Sequence, residues 1–407
     1  MSRPLNFGER VILRHFFNGL ALGGALAEWG IACWLFRLRA PVAVHVLAIA
    51  LVTVVNRLAT RRLEREPATG LLAGPAGQLV LATAFWAFVS AGALAVTVVA
   101  WVAAGVLGAF RAEAGMVASL GVDALFGGSF RAVSSGVLAA TALAVVYGYT
   151  YGYRRIELTR LTVPLANLPP TLAGFRLVHV SDLHLGPLAD RTAVREQLDR
   201  INELEPDVVC VTGDIVDSPA TDLASWIPEL DRLKARHGVF TILGNHDRHV
   251  GATRIAEALA RWTTWRVLRD EMATIDVDGA RLHLLGLEDR PWSEVADELP
   301  GLVRGVPAGE PAVLLAHRPT IFAPAATAGI GLTLAGHTHG GQVAVPGAPR
   351  LNVARVLQTR FDAGQFVRGD ALLNVSRGLG TSGQRVRIGV PCEITLVTLV
   401  PRVARAA

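Results

Sequence analysis

Two hydrophobic patterns divide the chain. From about Phe16 to Tyr149 apolar residues run on with little charge, whereas beyond Arg154 charges return regularly and apolar residues gather into short runs. The first pattern predicts membrane helices, because a bilayer core needs about 20 consecutive apolar residues. Four candidate spans can be drawn: Phe16–Phe36, Pro41–Asn56, Leu79–Leu107 and Ala132–Tyr149. A single cleaved signal peptide would need one shorter stretch, not four.

The second pattern repeats one unit: a β-branched or apolar run, an abrupt polar cluster, then a helical or loop segment. Five clusters occur. FRLVHVSDLHLG ends at Asp182 and His184, VVCVTGDIVD at Asp214 and Asp217, VFTILGNHD at Asn245, His246 and Asp247, AVLLAHRP at His317, and LTLAGHTHGGQ at His337 and His339. Helix-like stretches at Arg191–Leu204 and Ala224–Arg236 lie between them. Strands alternating with helices predict a layered α/β domain whose ligands collect at strand ends. The expected organisation is an all-α transmembrane region of about four helices over residues 1–155, then an α/β domain over 156–407.

Composition agrees with this division. The chain of 407 residues is 51% hydrophobic and 18% charged, with a mean hydropathy of +0.40, too apolar for an ordinary soluble protein. Three cysteines, Cys33, Cys210 and Cys392, suggest neither a disulfide framework nor a CxxC site. The net charge of +5 rests on arginine, with Lys234 the one lysine, and many arginines flank the apolar runs. No basic cluster interleaved with aromatics appears, so no nucleic-acid partner is expected.

With four spans, ten arginines fall on one side (Arg3, Arg10, Arg14, Arg57, Arg61, Arg62, Arg65, Arg154, Arg155, Arg160) and four on the other (Arg37, Arg39, Arg111, Arg131). The positive-inside rule then puts both termini and the α/β domain in the cytoplasm, in an inner-membrane protein. Glu28, inside the first run, invites a transport role or pairing with a neighbouring helix; anchoring is the expectation for this half.

The chemistry sits in the clusters. Asp, Asn and His offer oxygen and neutral nitrogen donors without thiolate, a set that suits Mn, Fe, Zn, Co or Mg. Seven donors (Asp182, His184, Asp214, Asn245, His317, His337, His339) exceed what one ion uses, so two divalent ions sharing a carboxylate is the economical expectation. Taken alone, any one cluster also reads as ordinary turn chemistry.

The ordered set DxH, GDxxD, GNHD, H and GHTH resembles the calcineurin-like metallophosphoesterase superfamily over the whole soluble domain. SDLHLG, GHTHGGQ, NVSRGLG and RIGVPCEITLVTL are similar to its bacterial membrane-linked branch, which includes phosphodiesterases and enzymes like UDP-diacylglucosamine pyrophosphatases. Cys392 departs from the branch, which usually has a second proline there. The resemblance implies a β-sandwich flanked by helices. It puts Asp182, His184 and His339 on one metal, Asn245, His317 and His337 on the other, and Asp214 between them. It makes His246 the general acid and Asp247 the group that orients it. Two divalent ions, manganese foremost, would activate water against a phosphodiester or pyrophosphate, lipid-linked or nucleotide.

Other residues read more plainly. Asp217 is expected to be structural or to support a ligand. His179, three residues before Asp182, faces away from the site by alternation. Arg318 and Arg377 could each contact a phosphate or sit in a loop salt bridge, and Gly340 and Gly341 could leave room for one. The competing function is a membrane sensor or transporter-associated protein whose soluble domain binds metal or nucleotide without turnover.

Overall fold

The computed structural model describes residues 7–36, 38, 40–65, 75–111, 128–219, 221–290 and 292–402. The chain divides into two compact units, Arg3–Tyr149 and Thr150–Ala407.

The first unit is helical: Phe7–Phe36, Val42–Arg65, Pro75–Arg111 and Gly128–Thr150. Apart from Pro41, each expected apolar run falls within a helix, but two stretches among the described residues are long and apolar enough to cross a membrane, Phe85–Ala103 and Gly128–Arg154. The shorter apolar stretches Ala21–Cys33 and Val42–Leu58 belong to helices that carry Glu28, His45 and Asn56. Two of these polar groups pair with each other and the third meets Trp29. Asn56 Nδ2 donates to Glu28 Oε1 at 3.4 Å and Trp29 Nε1 to His45 Nδ1 at 2.8 Å, so Glu28 has a neighbouring-helix partner.

The second unit is built on two six-stranded sheets. One has the order β1 (Ile156–Leu165), β14 (Cys392–Pro401), β2 (Arg176–Val180), β3 (Val208–Thr212), β4 (Val239–Ile242), β5 (Arg266–Val267). The other runs β12 (Gly364–Arg368), β13 (Ala371–Val375), β9 (Leu332–Ala335), β8 (Ala312–Ala316), β7 (Ala280–Leu287), β6 (Glu271–Val277). A short hairpin, β10 (Ala344–Val345) and β11 (Ala348–Asn352), stands apart. Strands β2, β3 and β4 are parallel, as are β7, β8, β9 and β13. Cys392 opens β14, an interior strand, and its thiol donates to the Tyr153 carbonyl at 3.1 Å.

The strands read as continuous apolar runs because both their faces are covered. Leu177, Val208, Cys210, Val313, Leu315, Leu332 and Leu334 point between the sheets into one core. Their neighbours Val178, Val209 and Val211 face an outer core with helices Arg191–Asn202 and Ala252–Trp262, while Leu285 and Leu314 face another with helix Trp292–Arg304. This is a β-sandwich flanked by helices. Asp190 caps Arg191–Asn202, accepting from the backbone N–H groups of Thr192 (3.0 Å) and Ala193 (3.2 Å).

One polar side chain crosses the inter-sheet core. His179, fully buried in β2, pairs through Nε2 with Thr212 Oγ1 at 2.9 Å and accepts at Nδ1 from Asn374 Nδ2 of the opposite sheet at 2.9 Å. Burial drives its pKa down to about 3, so the ring is neutral. As alternation predicts, it faces the other sheet and not the strand-end clusters.

Candidate metal centre

All five polar clusters follow the C-terminal ends of parallel strands, β2, β3 and β4 in one sheet and β8 and β9 in the other. Parallel register puts each set of ends on one edge, and two cross-sheet contacts tie the edges together. His317 Nδ1 donates to the Thr212 carbonyl at 2.8 Å, and the His337 backbone N–H donates to both Asp182 oxygens at 3.1 Å. Gly336 makes the approach possible, since a Cβ there would stand 1.9 Å from Ser181 Oγ and 2.3 Å from Asp182 Oδ2.

Two groups of donors result. Asp182, His184 and His339 form the first: His184 Nε2 and His339 Nε2 lie 3.0 Å apart, with Asp182 Oδ1 3.9 and 3.5 Å from them. Asp214, His317 and His337 form the second: His317 Nε2 lies 3.2 Å from Asp214 Oδ2, 3.2 Å from His337 Nδ1 and 3.1 Å from Asn245 Oδ1. Asp214 Oδ2 is also 3.6 Å from His184 Nε2, so this carboxylate lies between the groups. The structure thus brings together all seven donors named from the sequence.

Orientation of the rings follows from the groups behind them. A carbonyl can only accept, so His317 Nδ1 carries a proton for Thr212 and its Nε2 faces the centre. The Asp217 carboxylate does the same for His184, whose Nδ1 lies 3.1 Å from Oδ1. Asp217 acts twice: its backbone carbonyl accepts from His246 Nδ1 at 2.7 Å. His246 stands at the rim, its side chain 31% exposed and its ring 4.6 Å from that of His184, edge to face.

Here the structure corrects one expectation. Asp247 does not orient His246. Its buried carboxylate is instead taken up by the backbone N–H groups of Ile215, Val216 and Gly244 at 2.9–3.2 Å, bracing the β3 and β4 loops together. Burial, then the nearby Asp214 charge, pushes its pKa up to about 7. The side chain that follows His246 points inward because Asp247 occupies the first turn of helix Asn245–Val250. Gly340 and Gly341 have φ of +59° and +77°, and a Cβ would meet Val390 at 2.9 Å or Asn352 at 2.7 Å, so packing requires them.

The backbone at the centre is unusual. Asp182, His184, Asp214, His337 and His339 all have left-handed φ, between +45° and +74°. Such conformations disfavour side-chain-bearing residues and gather at functional sites.

The electrostatics are those of buried carboxylates set against imidazoles. Burial would raise Asp214, but the charges of His317 and His184 outweigh it and hold the carboxyl well below its usual range. Burial would likewise lower His317, yet Asp214 pushes it up to about 10. Burial, aided by His317 and Arg318, brings His337 down to about 3, and burial and His184 keep His339 well below the ordinary histidine value. Oxygen and imidazole donors of this kind, with no thiolate among them, fit hard or borderline divalent cations.

The arginines separate. Arg377 is engaged by Glu393 (3.1 and 3.0 Å) and Glu157 (3.3 Å), whereas Arg318, 44% exposed, holds Asp289 at 2.8 Å and reaches His337 Nε2 at 3.1 Å. Sequence reasoning missed Arg387, a fully buried cation 3.4 Å from His339 Nδ1 that donates to the carbonyls of Arg377, Gly378 and Gly380. Nothing local in RVRIG marks it, because alternation would set Arg387 opposite its buried neighbours Val386 and Ile388.

Residues 175–341 match the calcineurin-like phosphoesterase family. A transmembrane protein with metallophosphoesterase domain of Bos taurus is 32% identical over 65% of this chain and 61% of its own length. An uncharacterized metallophosphoesterase, YkuE, of Bacillus subtilis is 31% identical over 65% of this chain and 94% of its own. One of Aquifex aeolicus is 30% identical over 61% and 92%. The match thus spans about three-fifths of the bovine relative and nearly all of the two bacterial ones.

Proposed function

The chain belongs to the calcineurin-like phosphoesterase family, and we propose that it is a membrane-anchored phosphohydrolase that cleaves phosphodiester or pyrophosphate bonds at two divalent ions. The observation that carries this reading is Asp214 lying between two donor groups, one of Asp182, His184 and His339, the other of His317, His337 and Asn245. Manganese is the ion assigned to them. Bound there, two such ions supply Lewis acidity, binding phosphoryl oxygens and acidifying water.

The chain's own residues do the rest. His184 and His317 present Nε2 because Asp217 and the Thr212 carbonyl hold Nδ1–H behind them. His246 has its Nδ1 proton committed to the Asp217 carbonyl, which leaves Nε2 at the exposed rim to hold a proton for the departing oxygen. General acid catalysis of this kind contributes about 10²- to 10⁴-fold. The two long apolar stretches, and the word transmembrane in the bovine relative's name, support anchoring. The arginine distribution supports an inner-membrane protein with its catalytic unit in the cytoplasm.

The test is hydrolysis of bis-p-nitrophenyl phosphate by the purified chain with Mn²⁺. Activity should vanish with metal content in Asp214→Asn. In His246→Ala metal content should persist, and the rate should fall most on esters with poor leaving groups. Tight metal binding without hydrolysis under any divalent ion would refute the enzyme and leave a metal-binding sensor.

A further inference from the structure

The short hairpin β10–β11 and the helix that follows it, Val353–Leu357, present a surface that the reaction leaves unused. From Pro311 to Phe361 the sequence holds no aspartate or glutamate, and the first acid after that stretch, Asp362, is buried. Within it three aliphatic side chains stand in solvent: Val345 is 51% exposed, Leu351 64% and Val356 79%. The hairpin register explains the first two. Ala344 and Asn352 are partners across the hairpin and both are buried, so alternation turns Val345 and Leu351 outward. Arg350, Arg355 and Arg360 are exposed among them, and only Arg355 has a carboxylate partner among the described residues, Asp362 at 2.8 Å.

This surface is fastened to the metal centre. Asn352 caps the helix, accepting from the Arg355 backbone N–H at 2.8 Å, and donates through Nδ2 to Asp362 Oδ2 at 2.6 Å. The Asp362 carbonyl in turn accepts at 2.5 Å from the hydroxyl of Thr338, which stands between His337 and His339. The chemistry of the surface narrows what covers it. Aliphatic side chains set among arginines, with no exposed acid between them, match an anionic bilayer. A second copy laid face to face would set Arg350 and Arg360 against arginine. A protein partner would call for an aromatic anchor, yet the aromatic side chain here, Phe361, is spent on Phe322 and Phe366.

Resting on the membrane-anchored reading, we propose that the hairpin and its helix are a second attachment to the bilayer, made by the catalytic unit itself. Val345, Leu351 and Val356 enter the interfacial layer of an anionic leaflet, and Arg350 and Arg360 meet its phosphates. The contact holds the catalytic unit in one orientation, with the turn that carries His337 and His339 next to the lipid surface.

The experiment places the full chain, with Cys33→Ser, in nanodiscs of phosphatidylcholine alone or mixed with phosphatidylglycerol, each doped with a nitroxide-labelled lipid. Cys210 and Cys392 are buried, so a bimane label goes to Leu351→Cys or Val356→Cys, or to Glu203→Cys as an exposed control away from the hairpin. In the anionic discs the labels at 351 and 356 should lose about half or more of their fluorescence while the label at 203 keeps its own. Quenching should fall in phosphatidylcholine alone and in about 0.5 M salt. Arg350→Glu with Arg360→Glu should lower the docked-to-undocked ratio, read from the quenched fraction, by about 10- to 100-fold. Unquenched labels at 351 and 356, or quenching equal to that at 203, overturn the docking surface while carbonate-resistant membrane retention of the chain keeps the anchored reading. Release of the chain by carbonate refutes that reading, and the docking surface then falls with it.

Discussion

The buried imidazole between the sheets makes stability depend on pH in a way that can be calculated. His179 is neutral in the folded unit with a pKa near 3, against 6.5 for the ordinary side chain. Below pH 6.5 the unfolded chain therefore binds a proton that the folded chain refuses, so stability falls as pH falls from 6.5 toward 3. At pH 5 this linkage amounts to about 2 kcal/mol, and integrated to its limit about 5 kcal/mol, as an order of magnitude. Replacing the ring in His179→Leu removes the titration but strands Thr212 and Asn374, at about 1–3 kcal/mol at pH 7.5. The variant should thus be less stable than wild type at pH 7.5, with the gap narrowing by about 2 kcal/mol at pH 5. Cys210 provides the readout, because it is fully buried in β3 directly opposite His179. Its alkylation across a urea titration, quantified by peptide mass spectrometry, reports opening of the core between the two sheets. Parallel pH curves for the two proteins would refute the argument.

Three further outcomes test the centre. Asp217→Ala removes the carboxylate behind His184 but keeps the carbonyl behind His246, so Mn²⁺ affinity should drop about 10- to 100-fold with kcat at saturating Mn²⁺ largely retained; a collapse of kcat at unchanged affinity would contradict it. Gly336→Ala drives a methyl against Ser181 and Asp182, so metal content measured by mass spectrometry should be lost even where circular dichroism shows the fold intact. Metal loading of the chelated chain should release protons, because His317, raised to about 10 by Asp214, gives up its Nε2 proton to the ion. Affinity should therefore rise with pH, and calorimetry in buffers of different ionisation enthalpy would expose a proton-free reaction.

What could be read from the sequence was what is local. A strand and the polar residues that end it are neighbours in the chain, so Asp182, His184, Asp214, His317, His337 and His339 declared themselves as strand-end clusters. Their assembly across two sheets followed once parallel strands were inferred. Contacts made by the backbone were hidden. That His246 leans on the Asp217 carbonyl, and that Asp247 is spent on three N–H groups, depends on the path of the β3 and β4 loops. Arg318 and Arg377 look alike in sequence and differ because Glu393 and Glu157 reach only Arg377. In the helical unit hydropathy located the four described helices, but polar residues such as Glu28 and His45 leave two stretches among the described residues long and apolar enough to cross.

The left-handed backbone at Asp182, His184, Asp214, His337 and His339 changes how a mutational scan of this protein should be read. Alanine there inherits the strained torsion and loses the donor, so it is penalised on both counts. Glycine loses the donor but is at ease in that torsion, by roughly 1 kcal/mol or more per position. A screen for thermal tolerance would accordingly reward glycine at the very positions a screen for turnover forbids it. Disagreement between the two screens, position by position, is then itself a map of the centre, obtained without knowing what the protein acts upon.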